Sequence, residues 1–92
     1  HRVFNRANDG RIFDASFGSS HACAILYDHT LWCWGDNRYG QVGDGSFEDR
    51  SEPVQIGIDD DWVQVRASED VTAALRRDGS LWVWGKDHFI NV

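Results

Sequence analysis

The sequence predicts an all-β chain made of β-propeller blades, about two four-stranded antiparallel units in an incomplete ring. Three observations predict it. Leu31-Trp32-Cys33-Trp34-Gly35 returns fifty residues later as Leu81-Trp82-Val83-Trp84-Gly85, and a Trp-x-Trp-Gly at fixed period marks a repeat architecture. The segments ahead of each copy alternate in side-chain character at period two, which is the strand signal. No window sustains the stripe of an amphipathic helix.

The repeat needs no gap. Laying residues 1–42 over 51–92 gives identity at Asp9/Asp59, Ala24/Ala74, Asp28/Asp78, Leu31/Leu81, Trp32/Trp82, Trp34/Trp84, Gly35/Gly85 and Val42/Val92. Chemical class extends the match: Ile12-Phe13 faces Trp62-Val63, Ile25 faces Leu75 and Tyr39 faces Phe89. Residues 1–50 are therefore a first repeat that starts within a blade, and 51–92 a second, degenerate and truncated one.

Residues 1–11 read as a short edge strand and a turn closed by Asn8-Asp9-Gly10. Next, Phe13, Ala15 and Phe17 are expected on one face of a strand, with Ile12, Asp14 and Ser16 on the other. Trp62–Ala67 is its twin, with Val63, Val65 and Ala67 sharing a face. A hairpin follows, from His21–Leu26 to 30–35, and its twin runs from Val71–Arg76 to 80–85. Arg77-Asp78-Gly79 fits a three-residue loop with Gly79 in the left-handed position of a bulge. His29 holds that place in the first copy, a poorer residue there but a tolerated one. Small and apolar residues crowd both faces of the hairpin strands, as in sheets covered on both sides. Residues 37–45 are glycine-rich and turn-like, 46–52 a polar loop, and 53–56 a short strand that Pro53 can only begin or edge. Four short strands per unit are what a propeller blade needs.

Composition narrows the functional classes. Net charge is −6, with acids spread along the chain, which argues against nucleic acid, whose phosphates demand a basic face. No apolar run approaches the ~20 residues of a membrane span. The chain contains no methionine, so His1 is not a native start. The repeat phase is cut at both termini, which favours an excised piece of a longer protein over a processed short one.

At the residue level, Gly18-Ser19-Ser20-His21-Ala22-Cys23-Ala24-Ile25, then Asp28 to Gly35, then Asp36-Asn37-Arg38-Tyr39-Gly40-Gln41-Val42-Gly43-Asp44-Gly45 resembles a regulator of chromosome condensation repeat. The ordered run of Trp-Gly, Asn, Gly-Gln-Val-Gly and Gly carries the resemblance. The second copy has Ser68 and Val71 in place of the family's Gly and His, and it ends in Lys86-Asp87-His88-Phe89-Ile90-Asn91-Val92, without the Asn and the Gly-Gln pair. The resemblance implies a closed propeller, typically of seven blades, used for protein–protein contact. Roles in such a family range from nucleotide exchange on a small nuclear GTPase, through modules of ubiquitin ligases, to a secreted bacterial inhibitor of β-lactamases. Fold alone does not choose among them. Two units cannot close a ring, since propellers use about four blades or more; the chain belongs in a longer propeller, assembles with copies of itself, or leaves a sheet face open.

Cross-strand partners in the first hairpin sum to fifty-six, which sets Cys23 opposite Cys33, within disulfide range. A staple worth about 2–3 kcal/mol, formed in an oxidising compartment, is one reading; two buried thiols acting as small hydrophobes is the other. Ala73 and Val83 at the twin positions show that the blade does not require thiols. The pair resembles secreted bacterial members of the family, and one Lys against eight Arg fits a GC-rich bacterial source. An extracellular or cell-surface location follows, with a cytoplasmic one if the thiols are reduced.

No catalytic constellation is readable. His21 occupies the family's histidine position, expected to make a structural hydrogen bond within the blade; a catalytic role would need a nucleophile or carboxylate in a concave site. Trp32, Trp34, Trp82 and Trp84 are expected to pack between adjacent blades, and Trp62 in the core. Asp59-Asp60-Asp61 lacks the alternating oxygens and turn glycine of a calcium loop. Gly40, Gly43 and Gly45 have no Lys-Ser/Thr after them and are turn glycines, not a phosphate cradle. Metal and cofactor are therefore expected to be absent. The loops remain. Phe47, Glu48, Asp49 and Arg50 expose an aromatic beside mixed charge, the composition of interface centres. Asp59, Asp60, Asp61, His88 and Phe89 are further partner-binding candidates. An acidic rim steers a basic protein partner and makes its association salt-sensitive. Self-assembly of copies into a ring, a GTPase exchange-type propeller and an enzyme with paired carboxylates are the competing readings.

Overall fold

A computed structural model describes residues 11–86 with their side chains, and the backbone of 88–91. The strand and turn expected over 1–11 lie, apart from Arg11, outside the described residues. Among the described residues eight strands follow one another: β1 (Ile12–Phe17), β2 (His21–Leu26), β3 (Leu31–Gly35), β4 (Arg50–Gln55), β5 (Trp62–Ala67), β6 (Val71–Arg76), β7 (Leu81–Gly85) and β8 (His88–Asn91). They form two four-stranded antiparallel sheets, β1-β2-β3-β4 and β5-β6-β7-β8, each in sequence order. The first three strands of the sheets coincide at a shift of fifty residues.

The turns obey the residues available to them. Gly79 lies at φ 91°, and His29 at φ 67° holds the same left-handed place. His29 gains something that glycine could not provide. Its Nδ1 donates to the Trp62 carbonyl at 2.8 Å, while the Trp62 amide donates to the His29 carbonyl at 3.2 Å. The imperfect turn residue thus ties the first hairpin to the start of the second sheet.

Register determines which faces meet. Ala22 pairs with Trp34, Ala24 with Trp32, and Cys23 with Cys33. One face of the first sheet therefore carries small residues under two indoles, and the other carries Cys23, Ile25, Leu31 and Cys33. The second sheet repeats this, pairing Thr72 with Trp84, Ala74 with Trp82, and Ala73 with Val83. The cysteine face of the first sheet packs on the tryptophan face of the second. The shared core holds Ile25, Leu31, Val42 and Ile56 against Trp62, Val65, Ala74 and Trp84. Trp62 and Trp84 meet edge to face at 6.3 Å, a geometry worth about 1 kcal/mol beyond the area buried. The two sheets are stacked head to tail.

Three expectations change in detail. Of the four repeat tryptophans, Trp84 lies buried between the sheets and Trp82 packs on the core, while Trp32 and Trp34 are half-buried on the outer face of the first sheet. A bulge between Ile12 and Asp14 breaks the simple alternation of β1, so Phe13 packs against Tyr27 and His29 instead of sharing a face with Ala15. Asp14 and Ser16, turned to the sheet interface, accept hydrogen bonds from the Val65 and Ala67 amides of β5. Finally, β4 begins at Arg50, ahead of Pro53, which sits within an edge strand where a missing N–H is harmless.

Candidate protein-interaction surface

The largest loop, residues 36–49, joins β3 to β4, and one buried side chain organises it. Asn37 is 0% exposed. Its Nδ2 donates to the Glu48 carbonyl at 2.9 Å and the Ser46 carbonyl at 3.1 Å, and its Oδ1 accepts from the Val42 amide at 3.0 Å. The Asn37 amide in turn donates to Asp49 Oδ1 at 2.9 Å. Two donors and one acceptor on a short side chain thus close the loop at three points. Asp44 adds a second brace, accepting from Arg50 Nε and from the Ser46 hydroxyl. Burial works against the Asp44 carboxylate, yet bonds from Ser46, Arg50 and Asn37 outweigh it and hold its pKa below the ordinary value.

The same loop seals the sheets together. The Gln41 carbonyl accepts from Thr72 Oγ1 at 2.6 Å and from the Trp84 indole at 2.9 Å. Because the Thr72 hydroxyl proton is directed at Gln41, His21 Nε2, 2.7 Å away, is the donor to Thr72 Oγ1. The His21 bond therefore crosses between sheets, where the sequence reading expected one within a blade. Burial pushes the His21 pKa below the usual imidazole value, against the raising influence of the Glu69 backbone, Asp70 and Asp36. Gly43, at φ 89°, lies so close to the Trp84 indole that a Cβ would come within 2.5 Å of Nε1.

Beside this seal runs an apolar groove of about 660 Å³, walled by Tyr39 and Phe47 of the loop, by Ile56 just after β4, and by Trp62, Trp82 and Trp84 of the second sheet. Phe47 is 72% exposed. Asp59 reaches the same groove from the connection between sheets. Two sequence candidates that are distant along the chain are thus brought together. Glu48 and Asp60, next to them in sequence, are also exposed.

The other candidates are placed differently. Arg50 and Asp49 are engaged within the loop, on Asp44 and Asn37. Asp61 holds Arg76 at 2.9 Å, with Asp59 3.2 Å from the same guanidinium; the Asp61 bond is the main reason the Arg76 pKa is raised. Arg76 also covers the Trp62 ring at 5.4 Å. His88 and Phe89 fall on β8, and their side chains lie outside the described residues. Cys23 and Cys33 are joined, with Cα atoms 4.0 Å apart and no exposure. Leu26 donates to the Thr30 carbonyl, and by alternation Cys23 and Cys33 then occupy a narrow pair without backbone hydrogen bonds. Among the described residues no group of three or more His, Cys, Asp or Glu is placed to hold a metal, and no helix is long and apolar enough to cross a membrane.

Sequence reasoning did not foresee the groove or the hub role of Asn37. The signal for the hub was the asparagine in the family motif; the groove, made by three separate stretches of chain between Tyr39 and Gly85, had none.

Two stacked four-stranded sheets joined through a glycine-rich loop define a segment of a β-propeller. Residues 14–41 and 28–75 match models of the Regulator of chromosome condensation (RCC1) repeat, and the chain belongs to that repeat family. It is 36% identical over 83 residues to the X-linked retinitis pigmentosa GTPase regulator homolog of Caenorhabditis elegans, covering 88% of this chain and 6% of that protein. Among solved structures it is similar to human WBSCR16, with a TM-score of 0.77 and 27% identity over 92% of this chain and 22% of that one. It is also similar to Prp20p from Saccharomyces cerevisiae, with a TM-score of 0.63 and 27% identity over 77% of this chain and 18% of that one. The chain spans between 6% and 22% of the length of these proteins.

Proposed function

We propose that this chain is the non-enzymatic protein-interaction part of a repeat propeller, and that it binds a protein partner through the loop surface around Phe47. The carrying observation is Phe47 itself: a large apolar side chain is presented to solvent at the mouth of a groove by a loop that is otherwise fully braced. A braced loop loses little entropy on binding, which favours affinity. The family supports the reading, as does the solved yeast relative Prp20p, which is described with binding to Gsp1p and histones. A photo-crosslinker at position 47 should capture a partner protein that the Phe47→Asp variant does not retain. Equal retention by the variant would remove Phe47 from the interface.

A second reading, association with a further repeat unit, has its own observation. The outer face of the first repeat carries Phe17, 71% exposed, edge to face with Trp34 at 6.2 Å, beside a shallow pocket that includes His21 and Gly35. Fifty residues on, the twin of this face is covered by the loop of the preceding repeat. We propose that another repeat, from a second copy or a longer chain, covers the first. Light scattering of the chain and of Phe17→Asp tests it: a strict monomer in both excludes copies as the occupant.

Placement outside the cell is part of the same proposal and is supported by the Cys23–Cys33 geometry. The relatives named above are eukaryotic, so a bacterial source rests on the cysteine pair and the arginine-rich composition alone. Thiol titration of the protein taken from its native source tests the compartment; free thiols would count against it.

A further inference from the structure

We infer that the groove between the two sheets is a docking site for an extended basic peptide segment of another protein, which lays an apolar side chain against Phe47 and Trp82 and sets a Lys or Arg beside Asp59. This rests on the reading that the Phe47 surface binds protein, and it names the chemistry of the partner.

Shape comes first. The groove is half-enclosed, whereas a small ligand needs most of its surface buried to bind well. A peptide draws affinity from one or two anchoring side chains and tolerates an open side. The walls suit such anchors. Phe47 and Tyr39 stand on the braced loop, and Trp82 faces the groove from β7. Aromatic walls of this kind take aliphatic and aromatic anchors and the stems of long cationic side chains.

Charge selects the sign. Asp59 is at the groove, and Glu48 and Asp60 are exposed next to its lining residues. The two nearby arginines are turned to their own acids, Arg50 to Asp44 and Arg76 to Asp59 and Asp61. Lys86, whose ammonium lies 5.2 Å from the Tyr39 ring, leaves one positive charge against the carboxylates of Glu48, Asp59 and Asp60. The rim therefore attracts a cation. It also disfavours a second copy of this chain as occupant, because two chains of net charge −6 repel.

The test is to pan a random short-peptide display library against the full chain and measure the selected peptides by fluorescence anisotropy. Selected sequences should place Lys or Arg beside Leu, Phe or Trp. Their affinity should fall about tenfold on Phe47→Ala, a substitution of an exposed side chain that leaves folding intact. It should fall again on combined Asp59→Asn and Asp60→Asn, and weaken as salt rises. Tyr27→Ala, an exposed residue outside both surfaces, should change nothing. Acidic or uncharged selected sequences, or basic ones indifferent to Phe47→Ala, would overturn the inference. If no peptide is selected while position 47 still crosslinks a folded protein, the peptide inference fails and the interaction reading stands. If position 47 captures nothing either, both fail.

Discussion

The two repeats share three strands in register and part company after Gly35 and Gly85. The first continues through residues 36–49, a loop braced by Asn37 and Asp44, before adding β4. The second turns almost at once and adds β8 from His88. The first repeat's loop joins it to its neighbour, through the Gln41 carbonyl and the close approach of Gly43 to Trp84. Burial follows. All six residues of β2 are buried, whereas β6 is buried only at Thr72 and Ala74, the side that meets the first repeat. The comparison teaches that the family's Asn and Gly-Gln-Val-Gly stretch is inter-blade glue, and that a repeat can lose it and still complete its sheet.

The harshest break of that comparison is Gly43→Val. A Cβ there meets the Trp84 indole and the left-handed φ strains a β-branched residue, so a loss of about 4 kcal/mol or outright unfolding is expected in urea titration. Gly45, at φ 87°, has nothing within 4 Å of a Cβ, and Gly45→Ala should cost only about 1 kcal/mol. Equal losses would show that backbone strain, not docking, sets the requirement.

Next comes Asn37→Ala. It strands the Val42 amide and two loop carbonyls and should lower stability by about 2–3 kcal/mol. Hydrogen exchange should quicken through residues 36–49 while β6 stays protected. Uniform quickening would mean that the loop is not a separable brace.

Converting the cysteine pair to the residues of the second repeat, Cys23→Ala with Cys33→Val, should cost about 2 kcal/mol and leave the fold intact. The readout is the urea midpoint with and without reductant; a reductant effect that persists in the variant would point elsewhere.

The smallest effect is on pH. The folded pKa of His21 lies below its unfolded value of about 6.5, so the unfolded chain takes up the proton first as pH falls. Stability is then complete above about pH 6.5 and declines below it, levelling once the folded histidine also protonates. His21→Gln should flatten that part of the profile without touching the acid limb carried by Asp44. That limb has the same sign: the lowered Asp44 pKa gives stability that is lost as pH falls through it.

Much of the architecture was legible because it is local or periodic. The register that sets Cys23 against Cys33 followed from loop length, and His29 and Gly79 occupy the positions their turn requires. The bulge at Phe13 was hidden, since an extra residue in one strand leaves no mark on its own alternation. β8 was hidden too, because the degenerate residues after Gly85 carry no strand pattern of their own. Of the candidate surface, Phe47 and Asp59 came together at one groove, Arg50 was taken up by Asp44, and Asp59 and Asp61 share Arg76. Composition cannot separate these cases, since an exposed aspartate and a bridging one are the same residue.

By itself the sequence determined the first three strands of each sheet, their period of fifty and the two chemically distinct faces they form, because these follow from bond geometry and from neighbours a few residues apart. Only the tertiary structure decided which face meets which, which charges are already paired, and that a groove opens between Phe47 and Trp82. Those depend on contacts between segments far apart along the chain, where the free energy of packing, not local preference, selects the arrangement.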